Sequence, residues 1–503
     1  MSLRSGSRQD FRPLPDHNVS FATLPFIFDQ RLATPLQIFG NQLIMQIKLP
    51  PGPKGSWIPT LQLIRNPRAA MENWVSRYGD PFLLNALNGP VVVTGRADLI
   101  REIHGQDPGI YETFATATLV PILGRSSLLA MEGEQHKRER RLIMPMFHGD
   151  RMKAYGSAMQ AIALQEFSKR LEHNRIIPTL DVMTDISLEI IVRTVFGGEN
   201  RQQTCDLMAA SREVVKRSNP LLFFSKKTHL ACWGLSPWDR FIAARARLFS
   251  LFDSIIDNCR NADVPTDHIL SLLCSAKYDD GQPITREHIQ EELLTFLFAG
   301  HETTALSMTW AIYHLLGHPE QLEKLKIELA GLQGEAAMSM ATAPFLKACV
   351  QETLRIHPIV TETLRKLKTP MRLGEWNLPA GMAVAPATVL AHYNSQTYEE
   401  PDSFRPQRFI DRSYSPFEYM PFGGGHRRCI GAAFATFEMS IVLGSLFQRY
   451  EMELVESAIV VPQRRNVTMG PSSRVPIRVL KSWPSSGGGC LVETPIPARR
   501  LTS

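Results

Sequence analysis

From residue 286 to 316 the chain is apolar on nearly every face, with Thr285 placed to cap a helix and Gly317-His318-Pro319 to stop it. That pattern predicts one long, buried helix. Its middle breaks the apolar rule: Ala299-Gly300-His301-Glu302-Thr303-Thr304 sets a carboxylate and two hydroxyls between Phe296-Leu297-Phe298 and Ala305-Leu306. A buried carboxylate is unfavourable unless something pairs or uses it, and threonine hydroxyls inside a helix bond back to its backbone and bend it. The break predicts a functional kink; the alternative is a helix whose wet face carries these three residues. A second helix is predicted over 344–356, opened by Pro344 and closed by His357-Pro358. A third follows the spacing of Ala432, Phe434, Phe437, Met439 and Leu443. Residues 82–87 and 91–93 around Asn88-Gly89 carry a hairpin signal, and Val460-Val461 and 475–479 read as late strands. The fold expected is mainly α with small β-sheets.

Composition changes this picture little. With 503 residues, 44% hydrophobic and 21% charged, the chain can bury a large core. Its seven cysteines are scattered, without Cys-x-x-Cys or finger spacing, which argues against a disulfide framework and for a reducing compartment. Residues 19–44 are interrupted by prolines and polar side chains, so no transmembrane anchor is expected and the cytoplasm is the default location. Residues 1–44 read as a flexible N-terminal extension, 45–481 as a single catalytic domain and 482–503 as a disordered tail.

The candidate chemistry centres on Phe422-Gly-Gly-Gly-His-Arg427-Arg-Cys429-Ile-Gly431. Glycines let the backbone turn and approach a flat ligand closely. Arg427 adds charge two residues before the sulfur, and Cys429 precedes a helix N-terminus, so a thiolate is expected. Read alone, Cys429 could equally be a buried structural thiol. The full spacing Phe-x-x-Gly-x-Arg-x-Cys-x-Gly resembles the haem-binding loop of the cytochrome P450 superfamily, which implies the cytochrome P450 fold, haem b as cofactor and Cys429 as the iron ligand.

Other segments extend the resemblance, which spans roughly residues 48 to 480. Glu352 and Arg355, with Arg408 in Pro406-Gln407-Arg408-Phe409, match a structural ion-pair set of the family, although Gln407 replaces a frequent glutamate. His136 and Arg140, four apart on one helical face, match a propionate grip of soluble bacterial members; alone they could be a solvated basic face. Arg365 stands where the family places another propionate arginine, and could otherwise be an edge-strand charge. Phe422, Arg427 and Gly431 complete the expected cofactor-binding set. Glu302 and Thr303 match the family's acid-alcohol pair for proton delivery during oxygen activation.

The resemblance thus implies a monooxygenase that uses O2 on a hydrophobic small molecule. Alternatives are a haem-thiolate enzyme that uses peroxide or rearranges its substrate, and a non-enzymatic haem sensor; neither needs Glu302 with Thr303. Nothing in the sequence suggests a fused flavin or iron-sulfur reductase, so the resemblance implies electrons from a separate protein. Net charge is +6, and Lys137, Arg138, Arg141, Arg151, Lys153, Arg412 and Arg428 suggest an acidic ferredoxin or flavodoxin with its reductase. No motif accompanies the charge that would indicate nucleic acid. By analogy the substrate pocket draws on 114–123, 221–224, Phe298, Ala299, 359–363 and Met469. The run from Met144 to Met152 is similar to cyanobacterial members acting on fatty acids or terpenoids.

Overall fold

The computed structural model describes residues 47–483, except 115, 198–199, 219–221, 223–227, 262–267, 333–336 and 456–458. The expected extension and nearly all of the expected tail lie outside the described residues, as do Leu221, Phe223 and Phe224 of the expected pocket. The fold is mostly helical.

The long helix forms as its caps predict, over Arg286–Gly317, with the Thr285 side chain accepting from the His288 amide. Thirty-two residues make it about 48 Å long, enough to cross a whole domain. Of its 32 residues, 20 are buried. It packs against the helices Thr179–Phe196, Ala432–Arg449 and Pro344–Ile356, and their apolar faces merge into one core. The helix is unbroken through 299–304. The Thr303 hydroxyl donates to the Ala299 carbonyl at 2.9 Å and the Thr304 hydroxyl to Gly300 at 2.9 Å. The expected back-bonding is therefore present, each hydroxyl finding a carbonyl one turn earlier within a helix that runs on through these residues.

The main sheet has five strands in the order Phe82–Ala86, Gly89–Thr94, Ala383–Pro386, Arg365–Leu367, Tyr111–Thr113. The expected hairpin is present, but Ala86 pairs with Gly89, so its two-residue turn is Leu87-Asn88 and not Asn88-Gly89. Arg365 lies on an inner strand, pairing with Val384 on one side and Thr113 on the other. It is 5% exposed, which removes the edge-strand reading. The late strands are Pro462–Arg465, Thr468–Pro471 and Pro476–Ser482. Val460 and Val461 precede the first of them; Val461 accepts from the Ser472 amide at 2.9 Å, and the strand register starts at Pro462. The last strand runs past the expected tail boundary at 481, and the Trp483 amide still donates to Arg449. Among the described residues no helix is long and apolar enough to cross a membrane.

The Glu352 to Arg408 set is buried at the heart of this architecture. Arg355 grips Glu352 through two bonds of 2.7 and 2.8 Å and donates to the carbonyls of His392 and Pro401. Arg408 adds a third charged bond to Glu352 at 3.0 Å, and the Arg405 amide adds a fourth at 2.9 Å. Glu352 and Arg355 are fully buried. Such a pair survives burial only when every lone pair and proton is used, and here the helix 344–356 is tied by it to the chain around residues 392–408.

Candidate active site

The 422–431 loop turns back on itself so that the Cys429 amide donates to the Phe422 carbonyl at 2.9 Å. Gly425 has φ +61°, which an L side chain resists, and a Cβ on Gly424 would lie 2.2 Å from the His104 ring. The glycines thus allow the loop to press onto the helix Ala97–Gly105. Phe422 packs on the main core. Cys429 stands before Gly431, the N-cap of the helix Ala432–Arg449.

The sulfur's surroundings differ from the sequence expectation. Burial in the protein body pushes the Cys429 thiol up, opposed by the Gly431 amide and by the charges of Arg140 and Arg428. Arg427 is not among the groups that act on it. Its guanidinium turns away, donating to the carbonyls of Leu128, at 3.2 Å, and Met131, and to the Thr113 hydroxyl at 2.7 Å. Arg140, one helix away, supplies the charge that Arg427 was expected to give. The Cys429 residue is nevertheless exposed, because it opens into a cavity of 530 Å³ that also meets Arg140, His148, Lys347, Phe422 and Arg428.

Phe422 and Gly423 separate that cavity from a second, of 190 Å³, lined by Tyr111, Thr363, Arg365, His426 and Arg427. Here basic groups crowd together. His136 is 3% exposed and its ring lies 6.1 Å from that of His426. Arg365 donates to the Gly424 carbonyl at 2.6 Å. Burial, then the neighbouring cations, depress these bases: His136 to about 3, His104 and His426 to about 4, and Arg427 to about 10. Glu132 is the carboxylate that acts on Arg427, and it is engaged by Lys368 at 3.1 Å.

Several polar atoms at this place have no partner although buried: Arg365 Nη1, both ring nitrogens of His104, His426 Nδ1 and Thr363 Oγ1. Buried donors without acceptors are strongly unfavourable. The arrangement fits a ligand that brings carboxylates to the cations and a soft metal to the sulfur, as haem does. His136, Arg140, Arg365, Phe422, Arg427, Cys429 and Gly431 are therefore brought together around one loop. His104 and His426 join them although sequence reasoning omitted both. His426 sat inside the quoted motif and could have been found there; His104, in a distant helix, carried no signal.

Glu302 and Thr303 line neither cavity. They are half-buried on the long helix, where burial pushes the Glu302 carboxyl up and Arg465 opposes the shift. Arg465 belongs to the 462–471 hairpin, in which the Met469 amide donates to Ile359 at 2.8 Å and a Cβ on Gly470 would lie 2.6 Å from Leu306. Two of the expected pocket segments are thus adjacent. A third cavity, of 580 Å³, is lined by Trp57, Trp74, Leu84, Phe114 and Leu364, with Glu362 and Arg464 its charged residues.

The Cytochrome P450 family profile matches residues 50–476. The chain belongs to the cytochrome P450 family. Cytochrome P450 138 of Mycobacterium tuberculosis is 31% identical over 437 residues, covering 84% of this chain and 95% of that one. Cytochrome P450 135B1 of Mycobacterium bovis is 31% identical over 442 residues, covering 86% and 91%. The cyanobacterial protein CYP120A1, solved with retinoic acid bound, shares the fold with a TM-score of 0.76 at 21% identity, covering 86% of this chain and 99% of that one. The protein is a cytochrome P450 monooxygenase, a class that takes haem iron, O2 and electrons from a redox partner.

Proposed function

We propose that Cys429 would bind the iron of haem b, that His136, Arg140, Arg365 and Arg427, joined by His104 and His426, would hold its propionates, and that Phe422 and Gly431 would shape the ligand loop. The observation that carries this reading is the set of buried, partnerless donors opposite the cysteine loop. When bound, haem supplies the oxygen chemistry, and a thiolate on its iron favours cleavage of the O–O bond.

Glu302 and Thr303 deliver the protons. The raised affinity of Glu302 for its proton suits a general acid, and Arg465 keeps the carboxylate form within reach. The Thr303 hydrogen is directed at the Ala299 carbonyl, which leaves the oxygen lone pairs free to accept from a water. A small rotation of the hydroxyl then passes a proton onward. The acid-alcohol pair favours O2-dependent hydroxylation over peroxide use or rearrangement.

The substrate is a hydrophobic small molecule. Trp57, Trp74, Leu84 and Phe114 offer an apolar surface, and Arg464 gives a cation for a polar end group. The retinoic acid of CYP120A1, an apolar acid, is a compound of this kind, and fatty acids and terpenoids share its character. The electron donor is an acidic ferredoxin or flavodoxin. Of the basic residues expected to attract it, Arg138 is neutralised by Asp280, Arg141 lies 3.8 Å from Asp279 and Arg412 lies 3.2 Å from Glu418. The cavity at Cys429 retains Arg140, Lys347 and Arg428 with no carboxylate in its lining. The six described cysteines are free, which suits a reducing compartment such as the cytoplasm.

The test is a spectral titration of the ferric protein with long-chain fatty acids, retinoids and terpenes. A saturable low-spin to high-spin shift with one class, followed by product formation with a ferredoxin system, is expected. Product formed with peroxide but not with O2 and the ferredoxin system would refute the O2-dependent reading.

A further inference from the structure

Away from the cysteine loop, three buried side chains converge where the helix Gly133–Ile143 meets the first turns of the long helix. Glu139 Oε1 lies 3.2 Å from His288 Nε2, and ligand atoms of Glu139, His288 and Glu292 all fall within 4.8 Å of one another. Glu139 is 2% exposed and Glu292 0%.

The hydrogen-bond pattern prepares the imidazole. The Tyr278 hydroxyl donates its single proton to Glu139 Oε2 at 2.9 Å, so at 3.1 Å from His288 Nδ1 it must accept. Nδ1 therefore carries the hydrogen, and in the neutral ring Nε2 presents a lone pair to the Glu139 oxygen. Two lone pairs at that distance require a cation between them, either a proton or a metal.

Glu292 separates these choices. Both of its oxygens are buried without a well-formed hydrogen bond, only the Leu128 amide acting on the carboxyl, and Glu139 Oε1 and His288 Nε2 are likewise without one. A proton shared by Glu139 and His288 leaves Glu292 unsatisfied. The neighbouring Glu291 shows the contrast, since it accepts from the Ser126 amide at 2.7 Å and faces Arg245 at 3.9 Å.

We infer that Glu139, His288 and Glu292 form a binding site for a divalent transition-type cation, with zinc as its best occupant. One imidazole and two carboxylates match the zinc donor set, and ligand atoms about 2.0–2.2 Å from the metal stand roughly 3.3 Å apart. The Glu139 to His288 spacing already has that value, and Glu292 closes by a rotamer adjustment. Two carboxylates neutralise the ion, and Tyr278 holds both His288 and Glu139 in orientation. Without metal, burial and then the charge of Glu139 push the Glu292 carboxyl up, with the Leu128 amide opposing. The site would clamp the helix that carries His136 and Arg140 to the helix that carries Thr303.

The test uses the full-length, haem-loaded protein after chelator treatment and desalting. Calorimetric titration with zinc chloride is expected to show a single saturable equivalent, and zinc should raise the unfolding midpoint. Glu292→Gln keeps the near-isosteric shape without the carboxylate, so it should retain its fold and haem spectrum while losing the isotherm. His288→Gln should lose it too. Absence of saturable binding in the wild type, or retention of the isotherm in either variant, would overturn the assignment.

Discussion

Glu438 offers a quantitative check on the packing around the cysteine helix. It is 1% exposed in the helix Ala432–Arg449, and burial pushes its carboxyl up to about 8 from 4.5, with only Ser187 opposing. The Ser187 hydroxyl lies close without completing a hydrogen bond. The folded protein therefore holds a proton that the unfolded chain releases above pH 4.5. Below that pH both states are protonated and the residue is neutral to stability. Above it, stability falls by about 1.36 kcal/mol per pH unit until the folded carboxyl itself ionises near 8. At pH 7 the loss is about 3 kcal/mol, and it levels off at about 5 kcal/mol. An unfolding entropy of about 2.1 cal/mol/K per residue over roughly 440 residues converts the pH 7 figure to about 3–4 °C. Glu438→Gln removes the ionisation while keeping the shape. Scanned identically by circular dichroism, variant and wild type should coincide near pH 5, and the variant should melt about 3–4 °C higher at pH 7. A difference that does not change with pH would refute the buried, protonated assignment.

Cys429→Ser should abolish the red-shifted Soret band of the reduced carbonmonoxy form; its retention would show another axial ligand. Thr303→Ala should leave haem binding intact but divert electron flow to hydrogen peroxide, and tight coupling in that variant would end the proposed proton route. Arg365→Leu removes a buried charged donor worth about 1.5–3 kcal/mol to a carboxylate, so haem transfer to apomyoglobin should accelerate roughly 10- to 100-fold, whereas an unchanged rate would place the propionates elsewhere.

What could be read from the sequence was local. Thr285 and Pro344 fixed helix starts to the residue, because a cap or a helix-opening proline acts through its own backbone. The ion-pair set around Glu352 was legible because Glu352 and Arg355 face each other one turn apart, and Arg408 came with the family motif. The failures concern direction and long range. Arg427 follows the expected spacing to Cys429, yet spacing does not say that its guanidinium would find Thr113 and Leu128 more than 290 residues away in the chain. His104 reaches the site only because glycine at 424 lets the loop touch its helix. Glu139 and Glu292 each look like ordinary helical charges until tertiary packing removes both from water.

The same packing explains why the cations around Phe422 must be read as one device. Arg140, Arg365 and Arg427 arrive from three separated stretches of chain, and burial together with these charges depresses the imidazoles of His104, His136 and His426 between them, which stand as neutral rings at pH 7. No local preference brings like charges together, and Glu132 is already committed to Lys368. Folding alone therefore creates a repulsion that the protein leaves uncompensated. A ligand carrying two carboxylates relieves it, binds the partnerless donors and stabilises the folded state by its own affinity. The electrostatic strain of the polypeptide and its affinity for haem are then the same free energy seen from two sides, which is why removing a single arginine should weaken haem retention more than it weakens the fold.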